Sequence, residues 1–228
     1  MPNKILTELL NCPLLHDVPL ETLTALEIAP RHRTYTSNQI ILDRNEDSCD
    51  VFFLMSGRIL AVYWTEDGRE LIFGRMTIGS YFGELSALDD APRSLSVYAH
   101  TDVNLLLISQ ADFQNLINNV PLVRARLLQD MARRIRHLTE RSYQASSLSV
   151  DKRVRSYLVR LALEAGALQN QGEIKDAPTH TEIANSVGSN REAVSRVMSK
   201  LKKSGHIENG RQRIKLIAPD TFLEQSFF

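Results

Sequence analysis

Residues 81–94 read YFGELSALDDAPRS, and no other segment says as much about the architecture of the chain. Main-chain N–H groups that a glycine frees at the start of a helical turn can point at phosphate oxygens. Arg93 can pair with the same phosphate through its planar guanidinium. A carboxylate at Glu84 repels phosphate but can accept a hydrogen bond from a ribose hydroxyl. The segment predicts a site for an anionic ligand that carries a sugar, formed by Gly83, Glu84, Leu85, Ser86, Arg93 and Ser94.

A simpler interpretation is a tight turn in which Arg93 is solvated or paired with Asp89 or Asp90. The spacing between Gly83 and Arg93 favours the ligand site over the tight turn. Phe-Gly-Glu-Leu, with Arg93 ten residues after Gly83 and Pro92 just before it, resembles the phosphate-binding cassette of cyclic-nucleotide-binding domains. The regulatory subunits of cyclic-AMP-dependent protein kinase have this spacing. The bacterial cyclic-AMP receptor proteins have one more residue between the two motifs.

The formal net charge is zero, but the charge is unevenly distributed along the chain. Residues 1–120 contain 8 Lys and Arg against 16 Asp and Glu, whereas residues 121–228 contain 19 against 11. A basic C-terminal half is typical of a nucleic-acid-binding protein, and an acidic N-terminal half suits polyanions poorly.

The apolar runs and the cysteines argue against a membrane-spanning, a secreted and a metal-binding protein. The longest apolar runs, at residues 51–55 and 105–108, are too short to cross a bilayer, and residues 1–12 lack the apolar stretch of a signal peptide. Cys12 and Cys49 lie far apart and match no metal-binding spacing. We therefore expect a reduced, cytoplasmic protein with no metal and no membrane partner.

Short runs rich in Ile, Val, Phe and Tyr occur between residues 31 and 110, after short helices at residues 5–29. Turn signals separate these runs, among them Asn45, Gly57 and Gly79. Even spacing of this kind predicts an antiparallel β-roll. Asn tolerates the left-handed backbone conformation, so a tight turn can form at Asn45. We place this domain at residues 1–118.

Residues 111–148 read as helical, and a heptad pattern marks the long helix that we place at residues 119–147. The apolar seam comprises Leu128, Met131, Ile135, Leu138, Ser142 and Ala145. This helix either packs on its own domain or pairs with the same helix of a second chain. Because the seam continues past the end of the roll, we favour a parallel homodimer. The polar segment SSLS at residues 146–149 predicts a hinge.

The last part of the chain, residues 148–228, predicts a winged helix-turn-helix. THTE at 179–182 and SNRE at 189–192 each have the capping-box pattern, and each opens a short amphipathic helix. Gly188 lies in the turn between them. The second helix is expected to enter the major groove of DNA, and a hairpin around Asn209 and Gly210 forms the wing.

The expected DNA contacts lie on these two helices and on the wing. Arg matches guanine O6 and N7, and Glu accepts from cytosine N4. Glu192 either reads a base or only completes its capping box, and we favour base reading. Arg211 either contacts phosphate or stays in solvent. The expected contact residues are Thr179, Ser189, Arg191, Glu192, Ser195, Arg196, Lys200 and Arg211.

With these motifs the resemblance extends over nearly the whole chain, to the Crp/Fnr superfamily of bacterial transcription regulators. Arg-Glu-x-x-x-Arg at residues 191–196 matches the recognition motif, which implies that Arg191 and Arg196 read guanines and Glu192 a cytosine. Ser195 departs from the Gly of the cyclic-AMP receptor protein, and Glu-x-x-Ser-Arg is also the pattern of oxygen-responsive relatives. The resemblance implies an α+β fold, a homodimer on a palindromic site in double-stranded DNA, RNA polymerase as a partner, and no enzymatic activity.

The resemblance also implies cyclic AMP as the allosteric effector. Matching MARR at residues 131–134 to the family places Leu138 and Thr139 at the adenine contacts. Thr139 suits the contact from the partner subunit, whereas Leu138 offers no hydrogen bond. Cyclic AMP is our first choice. Cyclic GMP, another nucleotide, a redox or haem signal, or no required ligand stay open, and a regulatory cyclic-nucleotide module without DNA binding is less favoured.

Overall fold

A computed structural model describes residues 2–169, 171–210 and 212–217. The chain folds as two compact units, Met1–Ile135 and Arg136–Phe228. Within the described ranges the helices are α1 (Pro2–Leu9), α2 (Leu20–Ala25), α3 (Glu84–Asp89), α4 (Gln110–Asn119), α5 (Pro121–Ser147), α6 (Val150–Glu164), α7 (His180–Val187) and α8 (Arg191–Lys203). The strands there are β1 (Arg31–Tyr35), β2 (Ile40–Leu42), β3 (Val51–Ser56), β4 (Ile59–Trp64), β5 (Glu70–Met76), β6 (Tyr81–Phe82), β7 (Ser96–Ala99), β8 (Val103–Ile108), β9 (Glu173–Lys175), β10 (Ile207–Gly210) and β11 (Arg213–Leu216). None of these helices is long and apolar enough to span a membrane.

The first unit contains two four-stranded antiparallel sheets, as the spacing of its apolar runs predicts. The strand order is β1-β8-β3-β6 in one sheet and β2-β7-β4-β5 in the other. Buried side chains from both sheets, such as Leu54, Ile59 and Leu105, form one core. A second core lies where β3 and β8 meet the helices, and it includes Phe53 and Phe113. The central strands of the first sheet, β3 and β8, are therefore buried on both faces.

Two turn residues fix corners of the roll. Asn45 has a left-handed backbone (φ 69°), and its N–H donates to the Arg93 carbonyl at 3.0 Å. Gly57 also has a positive φ of 88°, and a Cβ there would overlap the Asp102 carbonyl oxygen. The left-handed turn expected at Asn45 is thus confirmed, and it ties the loop before β3 to the segment that carries Arg93.

The helical region after the roll consists of two helices. Pro121 has no N–H to continue α4, and its fixed φ suits the first position of α5, so the break falls at Val120. Ser147 still belongs to α5, so Leu148 and Ser149 are the residues of the segment 146–149 that lie between α5 and α6. The hinge stays a prediction. The Ser149 hydroxyl then caps α6 by accepting from the Lys152 N–H.

The second unit packs α6, α7 and α8 against a three-stranded sheet of order β10-β11-β9 around one apolar core. Residues 167–177 are polar and read as a loop from the sequence, but Glu173–Lys175 form β9, where Ile174 pairs with Ile214 of β11. The expected hairpin is confirmed, since β10 pairs antiparallel with β11, but its turn does not lie at Asn209 and Gly210. Both residues continue β10, and Gly210 pairs with Arg213.

Candidate effector site and DNA-reading surface

The cassette segment is built around a left-handed glycine. Gly83 (φ 86°, ψ 1°) links β6 to α3. A Cβ at this position would lie 2.7 Å from both Arg93 Nη1 and the Asp50 carbonyl oxygen. Any side chain here would therefore displace the guanidinium as well as strain the backbone.

Arg93 is buried, with 3% of its surface exposed, and its guanidinium is held on three sides. Nε donates to Ser48 Oγ at 3.0 Å, Nη1 to the Gly83 carbonyl at 2.7 Å, and Nη2 to the Asp50 carbonyl at 2.8 Å. The interpretation of Arg93 as solvated or paired with Asp89 or Asp90 is therefore wrong. A guanidinium has five N–H donors, so two are left for a ligand.

The acceptors that hold Arg93 are neutral. Among the residues that the structure describes, no carboxylate forms an ion pair with this guanidinium. Burial lowers the pKa of Arg93, and acidic groups nearby, Glu46 and Glu84 among them, oppose that shift. Because a buried positive charge without a direct counter-ion is unfavourable, this position is suited to an anionic ligand.

Glu84 supplies the opposite charge a short distance along the same segment. It is 2% exposed, and Arg134 Nη1 of α5 donates to its Oε1 at 2.6 Å. Burial raises the pKa of the Glu84 carboxyl, and the neighbouring Arg134 opposes this rise. The carboxylate is thereby held in one orientation, with Arg134 favouring its ionised form.

The other expected ligand residues differ in their surroundings. Ser86 is buried, whereas Leu85 (45% exposed) and Ser94 lie at the surface. Leu138 and Thr139 belong to the second unit, where both occupy exposed positions of α5. In the described ranges no three His, Cys, Asp or Glu side chains cluster as a metal site.

The first helix of the DNA-binding motif begins with the predicted capping box. Thr179 Oγ1 accepts from the Glu182 N–H at 3.2 Å, and Glu182 Oε2 accepts from the Thr179 N–H at 2.8 Å. Gly188 (φ 62°) ends the helix. This capping box is confirmed.

The second predicted capping box is wrong by one residue. Asn190 caps α8, and its Oδ1 accepts from the Ala193 N–H at 2.8 Å. The Ser189 N–H instead donates to the Ala184 carbonyl at 2.9 Å, so Ser189 belongs to the end of α7. Glu192 is consequently the second residue of α8 and not the capping partner, which leaves its carboxylate available for other contacts.

Helix α8 separates an apolar face from a polar one. Val194, Met198 and Leu201 are buried, and the expected DNA-contact residues of α8 lie on its more exposed side. Of these, Arg191, Glu192, Arg196 and Lys200 are exposed and Ser195 is half-buried. A shallow depression on this side is lined by Ser195, Arg196, Ser199, Lys200, Lys203 and Ser204.

Lys200 and Arg211 are the two expected phosphate contacts. Lys200 Nζ lies 3.4 Å from Asp151 Oδ1, a surface pair that a phosphate can displace. Arg211, expected on the wing, lies outside the described residues.

Two family models match the chain. The cyclic nucleotide-binding domain matches residues 32–120, and the Crp-like helix-turn-helix domain matches residues 152–224. The chain belongs to the Crp/Fnr superfamily. It is a DNA-binding transcription regulator with a cyclic nucleotide-binding domain, and not an enzyme.

Similar proteins span most of the chain. The cAMP-activated global transcriptional regulator Vfr of Pseudomonas aeruginosa is 29% identical over 194 residues, covering 83% of this chain and 91% of Vfr. The cAMP-activated global transcriptional regulator CRP of Salmonella typhimurium is 28% identical over 168 residues, covering 73% of this chain and 80% of CRP. A solved double mutant of CooA from Carboxydothermus hydrogenoformans has a TM-score of 0.79 at 21% identity, covering 96% of this chain and 94% of CooA. At that identity the match to CooA establishes the shared fold.

Sequence reasoning missed Arg134 of this Crp/Fnr regulator as a site residue. Besides holding Glu84, its guanidinium lies over the Tyr81 ring, 5.2 Å from the centroid, and Nη2 donates to the Tyr81 carbonyl at 3.4 Å. The Tyr81 hydroxyl donates in turn to Asp130 Oδ2 at 2.8 Å. Burial raises the pKa of Tyr81 to about 12, so it stays a donor. Arg134 lies in the MARR run at residues 131–134, which resembles the family. Because it lies off the heptad seam, the sequence pattern indicates a solvated side chain.

Two further arginines were also missed, and both act on α7. Arg141 Nη2 donates to the Ser186 carbonyl at 3.1 Å, and Arg153 Nη1 donates to the Val187 carbonyl at 2.8 Å. Positive groups at the C-terminal end of a helix complement its dipole and satisfy its last carbonyls. Arg141 thereby fixes the final turns of α5 against the first helix of the DNA-binding motif.

Proposed function

We propose that this Crp/Fnr regulator is a homodimer that binds a palindromic DNA site under the control of a cyclic nucleotide, cyclic AMP, held by Arg93 and Glu84. The observation that carries the proposal is the buried Arg93 guanidinium, which is held by neutral acceptors and has two donors to spare. A bound phosphate supplies the missing counter-charge.

The two buried groups require two features of the same ligand. Arg93 favours an anion, and Glu84 favours a hydroxyl that can donate to a carboxylate. Inorganic phosphate satisfies only the first requirement, and a neutral sugar only the second. A nucleoside cyclic phosphate with a free ribose hydroxyl satisfies both. The names of Vfr and CRP as cAMP-activated regulators support this choice.

Fewer hydrogen-bonding side chains are expected at the base than a pair of hydroxyl residues would supply. Leu138 is 50% exposed and has no polar side-chain atom, so only Thr139 of the expected pair can hydrogen-bond to adenine. We therefore propose that cyclic AMP is preferred over cyclic GMP by a smaller factor than two hydroxyl contacts would provide.

The proposed dimer interface is the seam of α5. Leu128 is 63% exposed, Ile135 64% and Leu138 50%, at heptad spacing on one helix. Full burial of a Leu or Ile side chain contributes about 1.5–3 kcal/mol relative to exposure. Pairing of two such helices would bury this stripe and would present two copies of α8 to two half-sites, with Arg191, Glu192 and Arg196 reading bases and RNA polymerase as a further partner.

Helix α5 is the proposed link between ligand and DNA. Its Arg134 holds the ligand-binding carboxylate of Glu84, and its Arg141 holds the end of α7. A nucleotide that engages Glu84 alters the balance of charges around Arg134, and with it the alignment of the seam. A ligand that favours the DNA-binding state by about 3 kcal/mol shifts that equilibrium about 150-fold.

Selection of DNA from a random library by gel shift, with and without cyclic AMP, tests this function. We expect the wild type to enrich a two-fold symmetric site only when cyclic AMP is present. Arg196→Ala should lower specific affinity by about 1–3 kcal/mol and relax one base position. Identical pools with and without the nucleotide would contradict the proposed effector, and an asymmetric site would contradict the dimer.

A further inference from the structure

The hydroxyl of Ser195 hydrogen-bonds away from its own helix. A serine inside a helix often donates to the carbonyl four residues earlier. Ser146 and Ser186 do so, with distances of 2.9 Å and 2.7 Å. Ser195 Oγ instead lies 2.9 Å from Nδ1 of His180, which is the first residue of α7. The orientation of the Ser195 hydroxyl is thus set by a side chain of the neighbouring helix.

His180 presents its ring from a fixed backbone. It follows Thr179, whose reciprocal hydrogen bonds with Glu182 close the first turn of α7. The next turn is anchored in the core by Ile183, which is fully buried. Both His180 and Ser195 are half-buried, so their hydrogen bond is partly shielded from competing water.

Ser195 lies on the side of α8 that carries the proposed base-reading residues. Arg191 is four residues before it and Glu192 three, which places them on the same helix face. Arg196 lines the same shallow depression as Ser195. A hydroxyl offers one donor and two acceptor lone pairs, and one of these three is taken by the imidazole. A free hydroxyl can rotate to suit any base edge, whereas a restrained one presents a defined set of hydrogen-bonding directions.

We propose that His180 is a positioning residue that restrains the hydroxyl of Ser195 and thereby sets the base preference at the base pair Ser195 faces. The inference rests on the proposed function, in which α8 reads base edges in the major groove. The group that Ser195 recognises is the edge of one base pair in each DNA half-site. His180 acts through Ser195, whereas Arg191, Glu192 and Arg196 act directly.

The test compares His180→Asn, His180→Gln and Ser195→Ala. Asn keeps a polar atom close to the position of Nδ1, and Gln moves its polar atoms outward. The full-length chain is titrated, with cyclic AMP present, against fluorescent duplexes carrying the selected site, each single base-pair change in it, or random sequence. We expect His180→Gln and Ser195→Ala to reduce discrimination at the same base pair by about threefold to tenfold. His180→Asn should retain it, and the Gln/Ala double variant should lose no more than Ser195→Ala alone.

Three results would overturn the inference. Equal weakening of His180→Gln on selected and random duplexes would make His180 a phosphate contact. Relaxation at different base pairs in the His180 and Ser195 variants would uncouple the two residues, and unchanged discrimination would remove the role of His180. Arg196→Ala distinguishes these three results from a failure of the proposed function. If the wild type prefers the selected duplex and Arg196→Ala prefers it less, only the inference about His180 fails. If the wild type shows no preference, the proposed function fails as well.

Discussion

Replacing Arg93 with Ala should remove nucleotide binding while leaving the roll folded. The two unused N–H donors of Arg93 would each form a charge-assisted hydrogen bond to phosphate, worth about 1.5–3 kcal/mol. Loss of both amounts to about 3 kcal/mol or more, which is an affinity decrease of at least about 150-fold. Isothermal titration of cyclic AMP into the wild type and the variant measures this decrease directly.

The effect of the same substitution on stability combines two opposing contributions. It leaves the carbonyls of Gly83 and Asp50 without their partner, at a cost of about 1–3 kcal/mol each, but it also removes a buried charge. We therefore expect a lower melting temperature with an unchanged circular dichroism spectrum. Arg33→Ala is the matched control, because its guanidinium is exposed and, within the described part of the chain, hydrogen-bonds only to the His32 carbonyl, at 3.5 Å. Binding within threefold of wild type by a folded Arg93→Ala variant would refute the reasoning.

Three further predictions test the ionisation of Glu84, the seam of α5 and the burial of Cys12. Arg134→Gln removes a cation that opposes the rise in the pKa of Glu84, so the Glu84 carboxylate becomes protonated at a higher pH than in the wild type. As the solution is acidified, nucleotide affinity measured by calorimetry should therefore begin to decline at a higher pH. Ile135→Glu places a charge in the exposed seam and should weaken dimerisation at least about tenfold in sedimentation experiments. Burial raises the pKa of Cys12 to about 12, so iodoacetamide at pH 8 should label Cys49 in the native chain and Cys12 only after unfolding.

Each of these predictions has its own control. An unchanged pH profile in Arg134→Gln would show that Glu84 does not contact the nucleotide as an ionised carboxylate. Arg136→Gln changes an exposed residue next to the seam and should leave the dimer intact; equal dissociation of both variants would contradict the seam. Equal labelling rates for the two cysteines would contradict the core that encloses Cys12.

The roll and the helix-turn-helix could be predicted from sequence because their signals are local. Residues near Asn45 and Gly57 mark turns by their backbone requirements, and the THTE capping box lies within four residues. The cassette motif is likewise contiguous. Its partners are not: Arg134 meets Glu84 across 50 positions, and Ser48 meets Arg93 across 45. A pair that far apart leaves no pattern in a single sequence, so only the fold shows that α5 contacts the cassette.

Other differences arose where two elements compete for the same residues. The Ser189 N–H is used to end α7, so Asn190 caps α8 and the helix begins one residue later than the capping-box pattern indicates. Strand β9 has one buried residue, Ile174, between two exposed charged ones, and it exists because β11 pairs with it. Gly210 in the same way is drawn into β10 by its pairing with Arg213.

The affinity of the full-length chain for its selected duplex, measured by fluorescence anisotropy with and without saturating cyclic AMP, tests most directly whether the cassette controls DNA binding. We expect cyclic AMP to tighten binding by about 150-fold for a coupling free energy near 3 kcal/mol, and to have no effect on Arg93→Ala. Equal affinity of the wild type in both conditions, at nucleotide concentrations that calorimetry shows to be saturating, would contradict the account.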